Sequence, residues 1–269
     1  MCADGSIDWE AHERLVQWHV ESGTAGVVPM GTTGESATLN TKEHLEVISR
    51  TIELADGRIS VVAGTGSNST EETLHQTKEA ESLGADACLL VTPYYNRPTQ
   101  EGLYAHFKRV AETTSVPLVL YNVPGRTGCD LFPDTIGRLS SIEGIVGIKE
   151  ASGKIERVSE IRSVSASDFF ILSGEDALTL EMMNNGAVGT ISVTANVLPK
   201  AMAEFCDSFL SGNIKRASEI DEVLQSVHEI LFIESNPIPA KWALHQLGII
   251  HEGIRMPLLP LSSRYRSEL

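Results

Sequence analysis

Residues 116–121, with the sequence VPLVLY, and residues 144–149, with the sequence GIVGIK, decide the fold. Both are short aliphatic runs without a polar face, and an amphipathic stretch from Pro133 to Leu139 lies between them. Strands that are apolar throughout and alternate with helices are typical of a parallel sheet that is covered on both faces. The two runs therefore predict a β-α-β unit of an α/β protein.

The same alternation extends outward over most of the chain. Further strand-like runs lie at residues 24–30, 59–64, 86–92, 169–173 and 188–193. Amphipathic stretches run from Ile7 to Glu21, Lys42 to Leu54, Thr73 to Leu83, Glu101 to Thr113 and Ile155 to Ile161. Seven strands after an opening helix predict a (β/α)₈ TIM barrel whose first strand is missing from this chain. A doubly wound open sheet is the alternative, although no GxGxxG motif follows the first strand to support a nucleotide-binding version of it.

A wholly helical pattern follows the last strand, from about Pro199 to Leu247. The sequence NPIP at 236–239 interrupts this pattern and predicts the start of a new helix. We therefore expect a barrel over residues 1–198 and a C-terminal helical extension over residues 199–269. Because a barrel of seven strands leaves two unpaired edges, we also expect an upstream segment in the natural product, which would raise the melting temperature.

Composition narrows the classes of function. The chain has 21 Lys and Arg residues against 36 Asp and Glu residues, a net charge of −15, which disfavours nucleic-acid and membrane-surface binding. Four scattered cysteines without a CxxC pair indicate reduced thiols, and no signal peptide or bilayer-length apolar run is present, so we expect a cytoplasmic protein. The eight histidines show no metal-ligand spacing, which disfavours a zinc-dependent aldolase and predicts no metal.

Lys149 is the first candidate for chemistry. Alternation along the strand puts Ile145, Gly147 and Lys149 on one face. A lysine in an apolar interior either loses its proton or finds a partner, and the neutral amine is the nucleophile that Schiff-base chemistry needs. The alternative is a lysine at a strand end whose ammonium reaches water. The strand alone leaves both readings open.

Two loops supply further candidates. Tyr121 shares a face with Val119 and could relay protons, although an inward tyrosine is also common as a packed core residue. Arg126, in the loop YNVPGRTG at 121–128, could bind a carboxylate with both arms of its guanidinium or form a surface ion pair. The segment GTTGES at 31–36 lies between a strand and a helix, where it could hold an anion or simply cap the helix.

Five motifs together resemble the dihydrodipicolinate synthase and N-acetylneuraminate lyase superfamily over essentially the whole chain. They are GTTGESATLN at 31–40, VTPYYNRPTQEGLYAHF at 91–107, YNVPGRTG at 121–128, GIKEASG at 147–153 and GAVGTISVTANV at 186–197. The resemblance implies a (β/α)₈ barrel that activates pyruvate as a lysine imine, without an external cofactor. Arg126 makes the chain more similar to the synthases of the superfamily than to its sialic-acid lyases, which lack arginine at that point.

The resemblance also implies roles for individual residues. Lys149 would form the imine, and Tyr121 would donate and accept protons through a relay with Thr32 and Tyr95. The tyrosine that matches Tyr95 belongs to a motif in which an aromatic side chain of the adjoining subunit enters the active site.

Three more residues would bind substrate. Thr33 would hold the pyruvate carboxylate, Ile191 would contact it through its backbone, and Arg126 would hold the carboxylate of aspartate semialdehyde. The product would be 4-hydroxy-tetrahydrodipicolinate, in the first committed step of lysine biosynthesis by the diaminopimelate route. Another pyruvate-dependent 2-keto acid aldolase and a truncated, non-catalytic paralogue are the alternatives.

Assembly and regulation are implied in the same way. The adjacent aromatics Tyr94 and Tyr95 would be poorly buried by one subunit, which predicts at least a dimer, and the resemblance suggests a homotetramer built as a dimer of dimers. Lysine would inhibit from a pocket at the dimer interface formed by Ser36, Ala37, His44, Asn68, Glu72 and Tyr94. Ordinary polar surface residues are the alternative reading of that set, and Thr41 stands where some sensitive members carry a histidine.

Overall fold

Six strands follow one another in chain order across a single sheet in the computed structural model, which describes residues 1–269. They are β1 (Gly26–Val27), β2 (Ser60–Gly64), β3 (Ala87–Val91), β4 (Leu118–Asn122), β5 (Ile145–Glu150) and β6 (Phe170–Ser173). From β2 to β6 each strand pairs in parallel with the next one. The predicted parallel α/β arrangement is therefore confirmed.

Eleven α-helices accompany the strands. They are α1 (Trp9–Glu21), α2 (Thr41–Ala55), α3 (Thr70–Leu83), α4 (Gln100–Ala111), α5 (Pro124–Thr127), α6 (Pro133–Leu139), α7 (Glu156–Val164), α8 (Thr179–Asn184), α9 (Pro199–Leu210), α10 (Ile214–Ile230) and α11 (Ile238–Gln246). Side-chain caps start several of them, and the side chains of Asn40 and Glu43 form a reciprocal capping box at α2. The predicted new helix after residue 236 is α11. No helix of the chain combines the length and apolarity needed to cross a membrane.

Two predicted strands are shorter than expected. The run at 24–30 forms only the two residues of β1, because Pro29 has no N–H for a ladder and Met30 has a positive φ of 61°. The run at 188–193 is not a regular strand. It makes one isolated parallel bridge, Ser173 to Thr190, because Gly186 and Gly189 have φ values of 109° and 154° and a 3₁₀ helix begins at Thr194.

The chain forms two compact units. One comprises Met1–Ser60 and Ser192–Leu269, and the other comprises Val61–Ile191. The first has a core in which Ala11 of α1 packs with residues of the C-terminal helices, among them Leu231 and Leu244. The second contains β3 to β6, and Leu90, Leu120 and Ile148 of these strands are fully buried. The division at residue 198 stays a prediction about domains.

Candidate active site

Lys149 and Tyr121 face each other near the carboxyl ends of neighbouring strands. The register of β4 and β5 pairs the two residues directly, and Lys149 Nζ lies 4.3 Å from the centroid of the Tyr121 ring. Tyr121 is 8% exposed, and Lys149 is half-buried. The strand periodicity predicts that each of the two side chains can lie on the inward face, and the register places both on the same face of the sheet. A primary amine over the face of a phenol can attack a carbonyl carbon while the phenol handles its protons.

The backbone of Gly174 lies against one side of the Lys149 side chain. A Cβ atom built on Gly174 would lie 2.9 Å from Lys149 Cε and 2.7 Å from the Cβ atom of Ala151. The Gly174 N–H also donates to the carbonyl of Glu150 at 2.8 Å, so its backbone cannot easily retreat. The missing side chain at Gly174 therefore gives the methylene chain of Lys149 its room.

Glu175 is a charged neighbour that sequence reasoning missed. Burial raises the pKa of the Glu175 carboxyl and the nearby Asp176 raises it further, whereas Lys149 and Arg126 lower it. The carboxyl therefore lies within electrostatic range of both cationic side chains. The available signal was its place two residues after the end of β6, where parallel α/β folds carry reactive groups.

Residues of its own compact unit hold the loop that carries Thr32 and Thr33. The side-chain amide of Asn236 donates to Thr33 Oγ1 at 3.1 Å, and that hydroxyl is 3.3 Å from Asn236 Oδ1. Glu35 is buried with a positive φ of 57°, pairs with Lys241, and accepts from the Arg255 N–H at 2.9 Å. The ion pair between Glu35 and Lys241 therefore fixes the loop that carries Thr32 and Thr33, both of which are half-buried.

The other predicted catalytic and binding residues have distinct settings. Arg126 is exposed within the short helix α5. Tyr95 has a positive φ of 73° and is 90% exposed, while its N–H donates to the carbonyl of Thr127 at 3.2 Å. The Ile191 N–H donates to the carbonyl of Ser173 at 2.9 Å, so that N–H would have to change partner to bind a pyruvate carboxylate.

The residues of the predicted lysine pocket are divided between the two units. Ser36, Ala37 and His44 belong to one unit, and Asn68, Glu72 and Tyr94 belong to the other. Glu72 is exposed near the start of α3, where its carboxylate accepts from Ser67 Oγ at 2.6 Å. The Asn68 carbonyl accepts from the Asn96 amide at 2.9 Å.

A thiol, a carboxylate and an imidazole come together elsewhere, although the sequence predicts no metal-ligand cluster. One ligand atom each of Cys2, Asp8 and His251 lie within 4.8 Å of one another. Asp8 already has two protein partners, because it caps α1 through the Ala11 N–H at 3.0 Å and pairs with His251 Nδ1 at 2.5 Å. These two contacts give the buried carboxylate of Asp8 hydrogen-bond partners within the protein.

A lysine amine beside a phenol at the ends of adjacent parallel strands of an α/β protein is an arrangement that Schiff-base chemistry can use. The model of the dihydrodipicolinate synthetase family matches residues 1–269, and the chain belongs to this family. It is 52% identical, over 100% of its own length and 92% of the relative's, to the 4-hydroxy-tetrahydrodipicolinate synthase of Stutzerimonas stutzeri.

Solved structures agree with this assignment. The pyruvate complex of the chloride-inhibited dihydrodipicolinate synthase from Acinetobacter baumannii superposes with a TM-score of 0.98 at 51% identity, covering 100% of this chain and 92% of that one. This match confirms the predicted α/β barrel class of fold. The lysine-bound synthase from Cyanidioschyzon merolae matches at 37% identity with a TM-score of 0.94, over 98% of this chain and 90% of its own. A synthase variant described as monomeric matches at 44% identity with a TM-score of 0.96, over 98% and 89%.

Proposed function

We propose that the protein is a Schiff-base lyase that condenses pyruvate with aspartate 4-semialdehyde to 4-hydroxy-tetrahydrodipicolinate, with Lys149 as the imine-forming residue. The observation that carries the assignment of residues is the Lys149 amine over the Tyr121 ring, 4.3 Å from its centroid. The family of the chain and the names of its relatives support the reaction.

The reaction proceeds through bonds to one nitrogen. The neutral amine of Lys149 adds to the ketone carbon of pyruvate, and loss of water gives a cationic imine. This imine draws electrons from the methyl group, which loses a proton to form an enamine. The enamine carbon attacks the aldehyde carbon of the semialdehyde, and the aldehyde oxygen takes up a proton. The amine of the second substrate then displaces Lys149 and closes the ring.

Tyr121 moves the protons of these steps. Its phenol shares the face of the sheet with Lys149, and Thr32 and Tyr95 extend the relay. Because Tyr95 is 90% exposed in the single chain, its part in a relay requires a partner subunit that brings it to a site. The relay therefore depends on assembly.

Other residues bind the carboxylates of pyruvate and of aspartate semialdehyde. Thr33 takes the pyruvate carboxylate together with the backbone of Ile191, and Arg126 takes the carboxylate of the semialdehyde. An arginine fork matches a carboxylate with two parallel hydrogen bonds, and α5 presents Arg126 to solvent where a substrate arrives. In a chain with a net charge of −15, such a local positive group is needed to attract an anion.

The assay that tests the proposed function uses purified protein with both substrates and follows product formation by NMR. Lys149→Arg removes all activity because guanidinium stays protonated. Tyr121→Phe keeps the ring but loses the hydroxyl, and lowers kcat by about a hundredfold or more. Lys154→Arg, at an exposed lysine close in the sequence, serves as the matched control with full activity. Product formation by Lys149→Arg at the wild-type rate would contradict the assignment.

Lysine inhibits the enzyme at a pocket formed by Ser36, Ala37, His44, Asn68, Glu72 and Tyr94. The lysine-bound relative supports this regulation, and the exposed carboxylate of Glu72 suits an ammonium group. The test compares lysine inhibition of the wild type with that of Glu72→Ala and of the matched control Glu71→Ala, whose side chain is also exposed in the first turn of α3. Equal inhibition of all three would exclude Glu72 from the pocket.

A further inference from the structure

A chain of buried polar side chains lies behind Tyr121 and Lys149. Asn122 follows Tyr121 on β4, Glu150 follows Lys149 on β5, and both are fully buried. Successive side chains of a strand point to opposite faces, so this second pair lies on the face of the sheet away from the first. The register pairs Asn122 with Glu150 just as it pairs Tyr121 with Lys149.

The amide of Asn122 has one orientation only. Its Nδ2 donates to Glu150 Oε2 at 3.1 Å and to Asp130 Oδ1 at 2.8 Å, while its Oδ1 accepts from the Leu131 N–H at 2.9 Å. Turning the amide over would set an oxygen against two carboxylates and an N–H₂ group against a backbone N–H. Asn122 therefore ties β5 to the loop after β4.

Glu150 receives hydrogen bonds on both oxygens. The Ser152 N–H donates to Oε1 at 2.7 Å and Asn122 donates to Oε2. An acceptor-only carboxylate fits between two donors, whereas a glutamine would turn its own N–H₂ group against one of them. Burial raises the pKa of Glu150, and the hydrogen bonds from Ser152 and Asn122 oppose that shift.

Helix α7 holds the end of this polar network that is farthest from Glu150. Arg157 of α7 donates to Asp130 Oδ1 at 3.1 Å and to Oδ2 at 2.9 Å, and its side chain is 6% exposed. The polar chain therefore runs from α7 through Asp130 and Asn122 to Glu150 at the end of β5. Each link between these four side chains is a direct hydrogen bond, and a connected buried network favours one arrangement of its members. The remaining Nε of Arg157 has no hydrogen-bond partner and lies 3.5 Å from Glu160 Oε2.

The polar network bears on the register between β4 and β5. The pairing of β4 with β5 shifts between Leu118 and Val119, so the backbone ladder is irregular before it reaches the site. We propose that Asn122 and Glu150 are positioning residues, which fix the ends of β4 and β5 so that the Lys149 amine stays over the Tyr121 ring. This inference rests on the proposed roles of Lys149 and Tyr121.

The test compares Glu150→Gln, which keeps the volume, with Thr77→Val. Thr77 is a fully buried hydroxyl of the same unit, bonded to Thr65 Oγ1 at 2.9 Å and remote in sequence from β4 and β5. Both variants lower the melting temperature. Only Glu150→Gln lowers kcat and the rate at which borohydride traps pyruvate on Lys149, by about ten- to a hundredfold, as a misplaced reacting group does, with a smaller change in the KM for pyruvate.

Wild-type rates in Glu150→Gln, together with a lower melting temperature, would overturn the inference and leave a structural network only. An unlabelled Lys149 in the wild type would contradict the proposed function itself and the inference with it. Arg157→Lys gives a second reading if Glu150→Gln does not fold. Lysine keeps the charge but cannot hold both oxygens of Asp130, so the same two rates decrease less, and unchanged rates would again overturn the inference.

Discussion

Lys149 Nζ lies 4.3 Å from the centroid of the Tyr121 ring, across the pairing of β4 and β5. This relationship gives the proposed imine chemistry its two reacting partners within one unit of the chain.

Replacement of Arg126 by alanine separates the two substrates. We expect the efficiency with aspartate semialdehyde to fall by the equivalent of about 2–3 kcal/mol, because a charge-assisted, two-pronged contact with its carboxylate is lost. Formation of the pyruvate imine survives. Steady-state kinetics and borohydride trapping measure the two effects. Arg138→Ala, which removes an exposed arginine paired with Glu101, is the control with normal kinetics. Normal semialdehyde kinetics in Arg126→Ala would mean that another group holds this carboxylate.

A methyl group at Gly174 displaces the lysine. In Gly174→Ala the new Cβ would lie 2.9 Å from Lys149 Cε, and one of the two has to move. We expect trapping of pyruvate to slow by about a hundredfold, since a displacement near 1 Å is enough for such a loss. The far-ultraviolet circular dichroism spectrum checks that the variant is folded. Trapping at the wild-type rate in a folded variant would show that the site accommodates the methyl group.

That Lys149 and Tyr121 each lie on the inward face of their strand could be predicted from the sequence, because a period of two gives each side chain its face. That the two are paired across β4 and β5 could not be predicted in this way. The network of Asn122 and Glu150 could not, since the same period gives only the face and not the partner. Whether two buried polar groups meet depends on the register between strands that lie about 30 residues apart. The length of β1 was missed because local backbone geometry, the positive φ of Met30, overrides an aliphatic pattern.

Assembly is expected from the aromatic pair after β3. Tyr94 is 41% exposed and Tyr95 is 90% exposed, so a single chain leaves two adjacent aromatic rings largely in water. We predict at least a dimer, and a tetramer by family likeness, in light scattering at micromolar concentration. Tyr95→Ser weakens the assembly and lowers activity together, because the relay needs the subunit contact. A fully active monomer of the wild type would refute this prediction.

Acid sensitivity follows from three histidines. Burial lowers the pKa of His12, His19 and His106 from 6.5 to about 4, and Arg50 adds to the effect at His12. Between pH 6.5 and 4 the unfolded chain therefore binds more protons than the folded one. The contribution of these histidines to the free energy of unfolding rises with pH through this window, is complete above it, and is lost as the pH falls toward 4.

Calorimetry over this pH range measures the loss as a falling melting temperature. His106→Gln removes one of the three titrating groups and reduces the slope. The matched control is His75→Gln, at an exposed histidine of the neighbouring helix α3. A melting temperature that is constant between pH 6.5 and 4 would show that the three rings gain protons in the folded state.

The central claim is that Lys149 carries pyruvate as an imine. Its most direct measurement is mass spectrometry with peptide mapping after incubation with pyruvate and borohydride. The account predicts one reduced pyruvyl group per chain, on Lys149, and none in Lys149→Arg. A group on another lysine, or no group on the folded wild type, would contradict it.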